Sequence, residues 1–137
     1  MIVPYETCYC DYDYVTRLTR TSHPKAKKFH RCNECNGFIE PGEQYRRSFQ
    51  VSDEGIYVAK MCGDCNALLD YVEAHLPCFC WYWDFLLENA DDAMRDYAWE
   101  VPGMGMEYGR LRVRCKRRRE KRREAEVLLL QESGGSR

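Results

Sequence analysis

Two Cys-x-x-Cys turns constrain this chain more than any other feature: Cys32-Asn33-Glu34-Cys35 and, after 26 intervening residues, Cys62-Gly63-Asp64-Cys65. A turn of this length lets two thiolates converge on one ion while its own N–H groups stabilise their charge, and a second such turn completes a tetrahedron of soft ligands. The spacing predicts one Zn2+ on Cys32, Cys35, Cys62 and Cys65. Four protein sulfurs leave no open place for a catalytic water, so the metal is expected to be structural. Buried thiols or a redox pair are the other readings of such turns. With 137 residues the chain suffices for one compact domain and is too short for an ordinary two-domain enzyme. At that size the binding energy of a structural zinc, about 10 to 16 kcal/mol, could be most of what holds the domain together.

The residues between the turns indicate the type of zinc fold. Residues 39–43 (IEPGE) read as a turn. Gln44 to Val51 reads as a strand with Tyr45, Phe49 and Val51 on one face and Arg46, Ser48 and Gln50 on the other, Arg47 breaking the pattern. Residues 52–55 then form a hairpin turn, Ile56 to Met61 returns as a second strand, and Cys65 opens a helix with Leu68, Leu69, Val72 and Leu76 on one side until Pro77 ends it. A knuckle, a hairpin and a helix whose first turn carries the last two ligands is the treble-clef arrangement, which predicts an α+β fold with helices added at the C-terminus. Nucleases built on this plan need a metal-activating His on the hairpin, and none lies between Cys35 and Cys62. His23, His30 and His75 form no acid, base or nucleophile constellation, so no catalytic residues are expected and the chain reads as a non-enzyme.

The motifs His30-Arg31-Cys32-Asn33-Glu34-Cys35, Pro41-Gly42-Glu43-Gln44-Tyr45 and Lys60-Met61-Cys62-Gly63-Asp64-Cys65, with Ile39 and Leu68 to Asp70, resemble those of small phage and prophage zinc-binding proteins of mostly unassigned function. The start Cys10-Asp11-Tyr12-Asp13-Tyr14 is similar too, and the likeness covers about residues 8–90. The resemblance implies a viral or mobile-element origin, the cytoplasm of a bacterial host, and zinc on the four cysteines named above. It implies no reaction.

Five of the nine cysteines remain. Cys8, Cys10, Cys78 and Cys80 form two Cys-x-Cys pairs that would hold a second zinc if the N-terminus packs against the end of the first helix. Their one-residue spacing is tighter than usual, and buried cysteines serving as small hydrophobes are the favoured alternative. Cys115 is the odd one, flanked by Arg114 and Lys116.

The formal net charge of −1 conceals blocks: residues 110–137 hold eleven Lys or Arg and four Glu, a net +7, which leaves −8 on residues 1–109. Such asymmetry points to partners of opposite sign or to one end folding onto the other. Trp81 to Trp99 has a helical period, with Tyr82, Phe85, Leu86, Ala90, Ala93 and Tyr97 as an apolar stripe and Asp84, Glu88, Asp91, Asp92 and Asp96 largely opposite. The expected organisation is a zinc domain with its packed helix over residues 1–100, a Pro/Gly hinge over 101–109, and a basic helical segment over 110–137. Within the last, Arg110, Arg112, Arg114, Lys116, Arg117, Arg118, Arg119, Lys121, Arg122 and Arg123 are candidate phosphate contacts, alongside a second basic band from Arg17 to Arg31. Aromatics are not interleaved with these arginines, so backbone contact is favoured over base stacking. The expected partner is nucleic acid. The alternative is a host protein complex of transcription or antiviral defence, such as CRISPR, bound through the acidic helix and exposed aromatics. Leu128 to Leu130 could mediate a homodimer. No run approaches the roughly eighteen apolar residues of a membrane span, and residues 1–10 have neither a basic start nor a long apolar stretch, so the chain is expected to be soluble, cytoplasmic and without a membrane partner.

Overall fold

In the computed structural model, which describes residues 16–76, 79–97 and 104–135, five strands precede three helices in an α+β arrangement. The strands are β1 (Thr16–Ser22), β2 (His30–Arg31), β3 (Phe38–Ile39), β4 (Arg46–Ser52) and β5 (Gly55–Met61); the helices are α1 (Gly63–His75), α2 (Leu86–Tyr97) and α3 (Met104–Gly135). β1, β4 and β5 form an antiparallel sheet in that order, and β2 pairs with β3 across the first Cys-x-x-Cys turn. The β4–β5 hairpin closes through Asp53-Glu54 with Ser52 opposite Gly55, whose φ of +128° suits a residue without a Cβ.

The hairpin forms as its sequence predicts, but its inward face is the opposite one. Ser48 and its partner Ala59 are buried, as is Met61 opposite Arg46, whereas Ile56 and Val58 are exposed beside Val51 and Phe49. Tyr45 is buried as expected, but it precedes β4 and does not set the parity of the strand. The small Ser48–Ala59 pair lies on the core side, and Arg46 on the same face hydrogen-bonds Asn66 of α1.

α1 starts on Cys62, whose sulfur accepts the N–H of Cys65, and buries Leu68, Leu69 and Val72. It ends at Leu76, extended at ψ 143°, the conformation that a following proline imposes. α2 begins at Leu86, five residues later than the period suggested, because Asp84 takes a positive φ of 76° in a turn that redirects the chain. Its buried line is Leu86, Ala90 and Met94, while Tyr82 and Phe85 of the expected stripe are half exposed. α3 begins at Met104, so residues 104–109 of the expected hinge are helical. Tertiary contact overrides the glycines there: Tyr108 is buried with its hydroxyl on Asp91, and Cys115 is fully buried. At about 1.5 Å per residue the 32-residue helix is about 48 Å long, and it packs chiefly on α1 while touching α2 and β3. No helix among the described residues is long and apolar enough to cross a membrane.

Candidate metal centre and basic helix

The β2–β3 knuckle and the first turn of α1 bring Cys32, Cys35, Cys62 and Cys65 together, with every Sγ within 4.8 Å of the others and all four side chains buried. The Cys35 and Cys62 sulfurs are 3.7 Å apart. A tetrahedron with Zn–S bonds of about 2.3 Å has edges of about 3.8 Å, whereas a disulfide needs about 2.05 Å. Backbone N–H groups point at the sulfurs: Glu34 and Cys62 donate to Cys32, Gly37 to Cys35, and Cys65 to Cys62, all at 3.3 to 3.4 Å. Burial opposes ionisation of Cys32, but hydrogen bonds from the other three thiols and the Cys62 N–H hold it well below the ordinary thiol value. The bond to Cys115 and then those to the other cluster thiols push Cys65 up. Four thiols crowded in this way cannot all ionise without a cation among them, and the set is compatible with a zinc site.

The turn residues between the cysteines tie the knuckle to the rest of the fold. Asn33 exchanges two 2.8 Å bonds with Lys60 of β5, its N–H to the carbonyl and its Oδ1 from the N–H. Its amide Nδ2 donates to Tyr57 Oη and Asp84, and Tyr57 donates to Asp84 at 2.7 Å. Burial and that carboxylate push the Tyr57 phenol up to about 12. Glu34 is buried and caps α2, accepting the N–H of Asp84 at 2.9 Å and of Leu86 at 2.8 Å. Desolvation pushes its carboxyl up to about 7 against those two bonds.

α3 closes the site from the other side. Arg118 makes a bidentate pair with Glu43, bonds Asp64 between Cys62 and Cys65, and donates to the Phe38 carbonyl at 2.8 Å. A Cβ on Gly37 would lie 2.7 Å from the Arg118 backbone carbon, so the knuckle and the helix meet where only glycine fits. Cys115 Sγ sits 3.5 Å from Cys65 Sγ as a fifth sulfur beside the cluster. Arg112 holds Asp91 of α2 at 3.1 Å.

Of the ten candidate phosphate contacts, Arg112 and Arg118 are therefore committed to the fold. Arg110 pairs with Glu107 and the largely buried Arg122 with Glu126. Arg114, Lys116, Arg117, Arg119, Lys121 and Arg123 are exposed and form no ion pair among the described residues. In the second basic band, Arg20, Lys25, Lys27, Lys28 and Arg31 are exposed. Of the second cysteine group, Cys80 is half-buried, while Cys8, Cys10 and Cys78 lie outside the described residues. His30 packs against Tyr45 at 5.3 Å between ring centroids, and His75 is exposed and stacked on Tyr71. The roles of Asn33, Glu34, Glu43 and Gly37 carry no sequence signal beyond their places in or beside the turns.

No family model matches the chain, and neither the curated proteins nor the solved structures give a match.

Proposed function

We propose that the chain is a non-enzymatic, phage-type binding protein in which one structural zinc on Cys32, Cys35, Cys62 and Cys65 organises a treble clef, and that it contacts the nucleic-acid backbone through α3. The observation that carries this reading is the partition of the basic run. Arg112 and Arg118 anchor the helix, which leaves Arg114, Lys116, Arg117, Arg119, Lys121 and Arg123 exposed and without acidic partners among the described residues. Six cations on a docked helix are a preorganised match for phosphates, at less ordering cost than a free tail would incur. Four sulfurs fill the zinc tetrahedron, which supports a structural rather than a catalytic ion.

The test is affinity for nucleic acid across a salt series. Removing residues 110–137 would take Tyr108's neighbours, Cys115 and Arg118 out of the fold, so the informative variant replaces the six exposed cations with Gln. Wild type should bind at low salt with a log–log slope of up to about −5, and the variant should lose that slope while keeping its zinc. No binding by wild type at low salt, or equal binding by the variant, refutes the reading. Metal analysis should return one zinc per chain; two would place the second on Cys8, Cys10, Cys78 and Cys80.

A second reading, a modulator of a host protein complex, is favoured by the half-exposed Tyr82 and Phe85 beside the acidic side of α2 and by Ile56 and Val58 on the open face of the hairpin. Capture of a host protein that is lost on Tyr82→Ala and Phe85→Ala would support it.

A further inference from the structure

The exposed cations of α3 fall into two rows. Arg110, Arg114, Arg117 and Lys121 recur at steps of four, three and four residues, and Lys116, Arg119 and Arg123 at steps of three and four. At 3.6 residues per turn these rows lie about 160° apart across the outward side of the helix. Val113, Glu120 and Glu124, all exposed, run between them along the crest, while Tyr108 and Cys115 face the core.

Each row borders its own cleft. A cleft of about 560 Å³ on the α2 side is lined by Lys116 and Arg119, and one of about 240 Å³ on the β3 side by Arg114, Arg117 and Lys121. The acids in these clefts are largely spent: Asp91 is held by Arg112, Asp64 by Arg118, and Glu34 by two backbone N–H groups. Glu40 remains there with no ion pair among the described residues. The outward face of α3 is thus a ridge with a positive trough on either side.

We propose that this ridge enters the major groove of B-form DNA, with the two phosphate strands that border the groove running along the two troughs. The inference rests on the nucleic-acid reading above and names the form of nucleic acid. The B-DNA major groove, about 12 Å wide, admits one α-helix and is bounded on both sides by phosphates, which is what cations on both flanks of one helix require. A-form RNA has a major groove too deep and narrow for this approach. A single strand has one backbone to neutralise and is recognised by stacking on aromatics, which the ridge lacks. The rows span residues 110–123, about 20 Å of helix, the length of about six base pairs. The crest then meets base edges, where Val113 can contact a thymine methyl and Glu120 or Glu124 can accept from a cytosine amino group.

The experiment uses the zinc-loaded full chain and a labelled mixed-sequence DNA duplex, with an RNA duplex of the same sequence as comparison and methyl green and netropsin as major- and minor-groove competitors. DNA should bind at least about tenfold more tightly than the RNA duplex. Methyl green should displace the protein and netropsin should not. The paired variants Arg117→Gln with Lys121→Gln, and Lys116→Gln with Arg119→Gln, should each reduce the salt slope by about 2. Equal affinity for RNA, displacement by netropsin, or a loss of slope from only one row overturns the groove assignment while leaving nucleic-acid binding in place. Absence of binding to any nucleic acid at low salt overturns both.

Discussion

Glu34 occupies an interior place in the first Cys-x-x-Cys turn, yet its carboxylate does its work at the start of α2, where it takes the N–H of Leu86 and that of Asp84 in the turn before it. Glu34→Gln offers one acceptor oxygen where two are used and turns an NH2 toward the second donor. The expected outcome in urea denaturation is a loss of about 1 to 3 kcal/mol, with one zinc per chain unchanged by metal analysis. The clustering of the four cysteines was legible in the sequence because the Cys-x-x-Cys spacing is a local property of each turn. Glu34 and Asn33 were not, because their partners lie 50 to 52 and 27 residues away and nothing in either residue type records a partner at that distance.

The same division separates the elements. α1 and the β4–β5 hairpin follow from periodicity and turn residues, which act over a few positions. The inward face of β4, the start of α2 and the extent of α3 do not, since each is decided by what packs against it: a small Ser48–Ala59 pair, a turn at Asp84, and a buried Tyr108. α3 also illustrates why a basic run need not project. Arg118, with two carboxylates and a carbonyl as partners, and Arg112 on Asp91 help to seat it, provided the helix can come close. Gly37 allows that approach. Gly37→Ala puts a methyl 2.4 Å from Arg118 Cγ and 2.7 Å from its backbone, so a side-chain adjustment alone cannot relieve it. The variant should lose about 1 to 3 kcal/mol of stability, and α3 should show faster amide exchange than in the wild type.

Over the whole molecule, the −8 and +7 blocks meet: Arg112 and Arg118 of the basic end neutralise Asp91, Glu43 and Asp64 of the acidic body. That union is sensitive to acid. Burial raises the Glu43 carboxyl, but the hydrogen bond from Arg118, the N–H of Glu40, the Arg118 charge and the N–H of Gly63 outweigh it and hold the group below its ordinary value. A carboxyl depressed in the folded state stabilises the fold above its unfolded value and loses that contribution as pH falls through the folded one. The stability difference between wild type and Glu43→Gln should therefore be largest near neutral pH and shrink as the solution is acidified, read as the gap between their urea midpoints. A gap that stays constant with pH would contradict the pairing.

The bonds of Arg118 to Phe38, Glu43 and Asp64 reach back across 80, 75 and 54 residues. Contacts of such high order form late, because the intervening chain must first be brought round. During synthesis the cysteine turns leave the ribosome well before the helix that covers them, so the nascent chain carries its thiols open on the Gly37 side until residue 118 emerges. A product cut short before that point lacks the Arg118 clamp that draws the helix over its cysteines, and with it Arg119, Lys121 and Arg123.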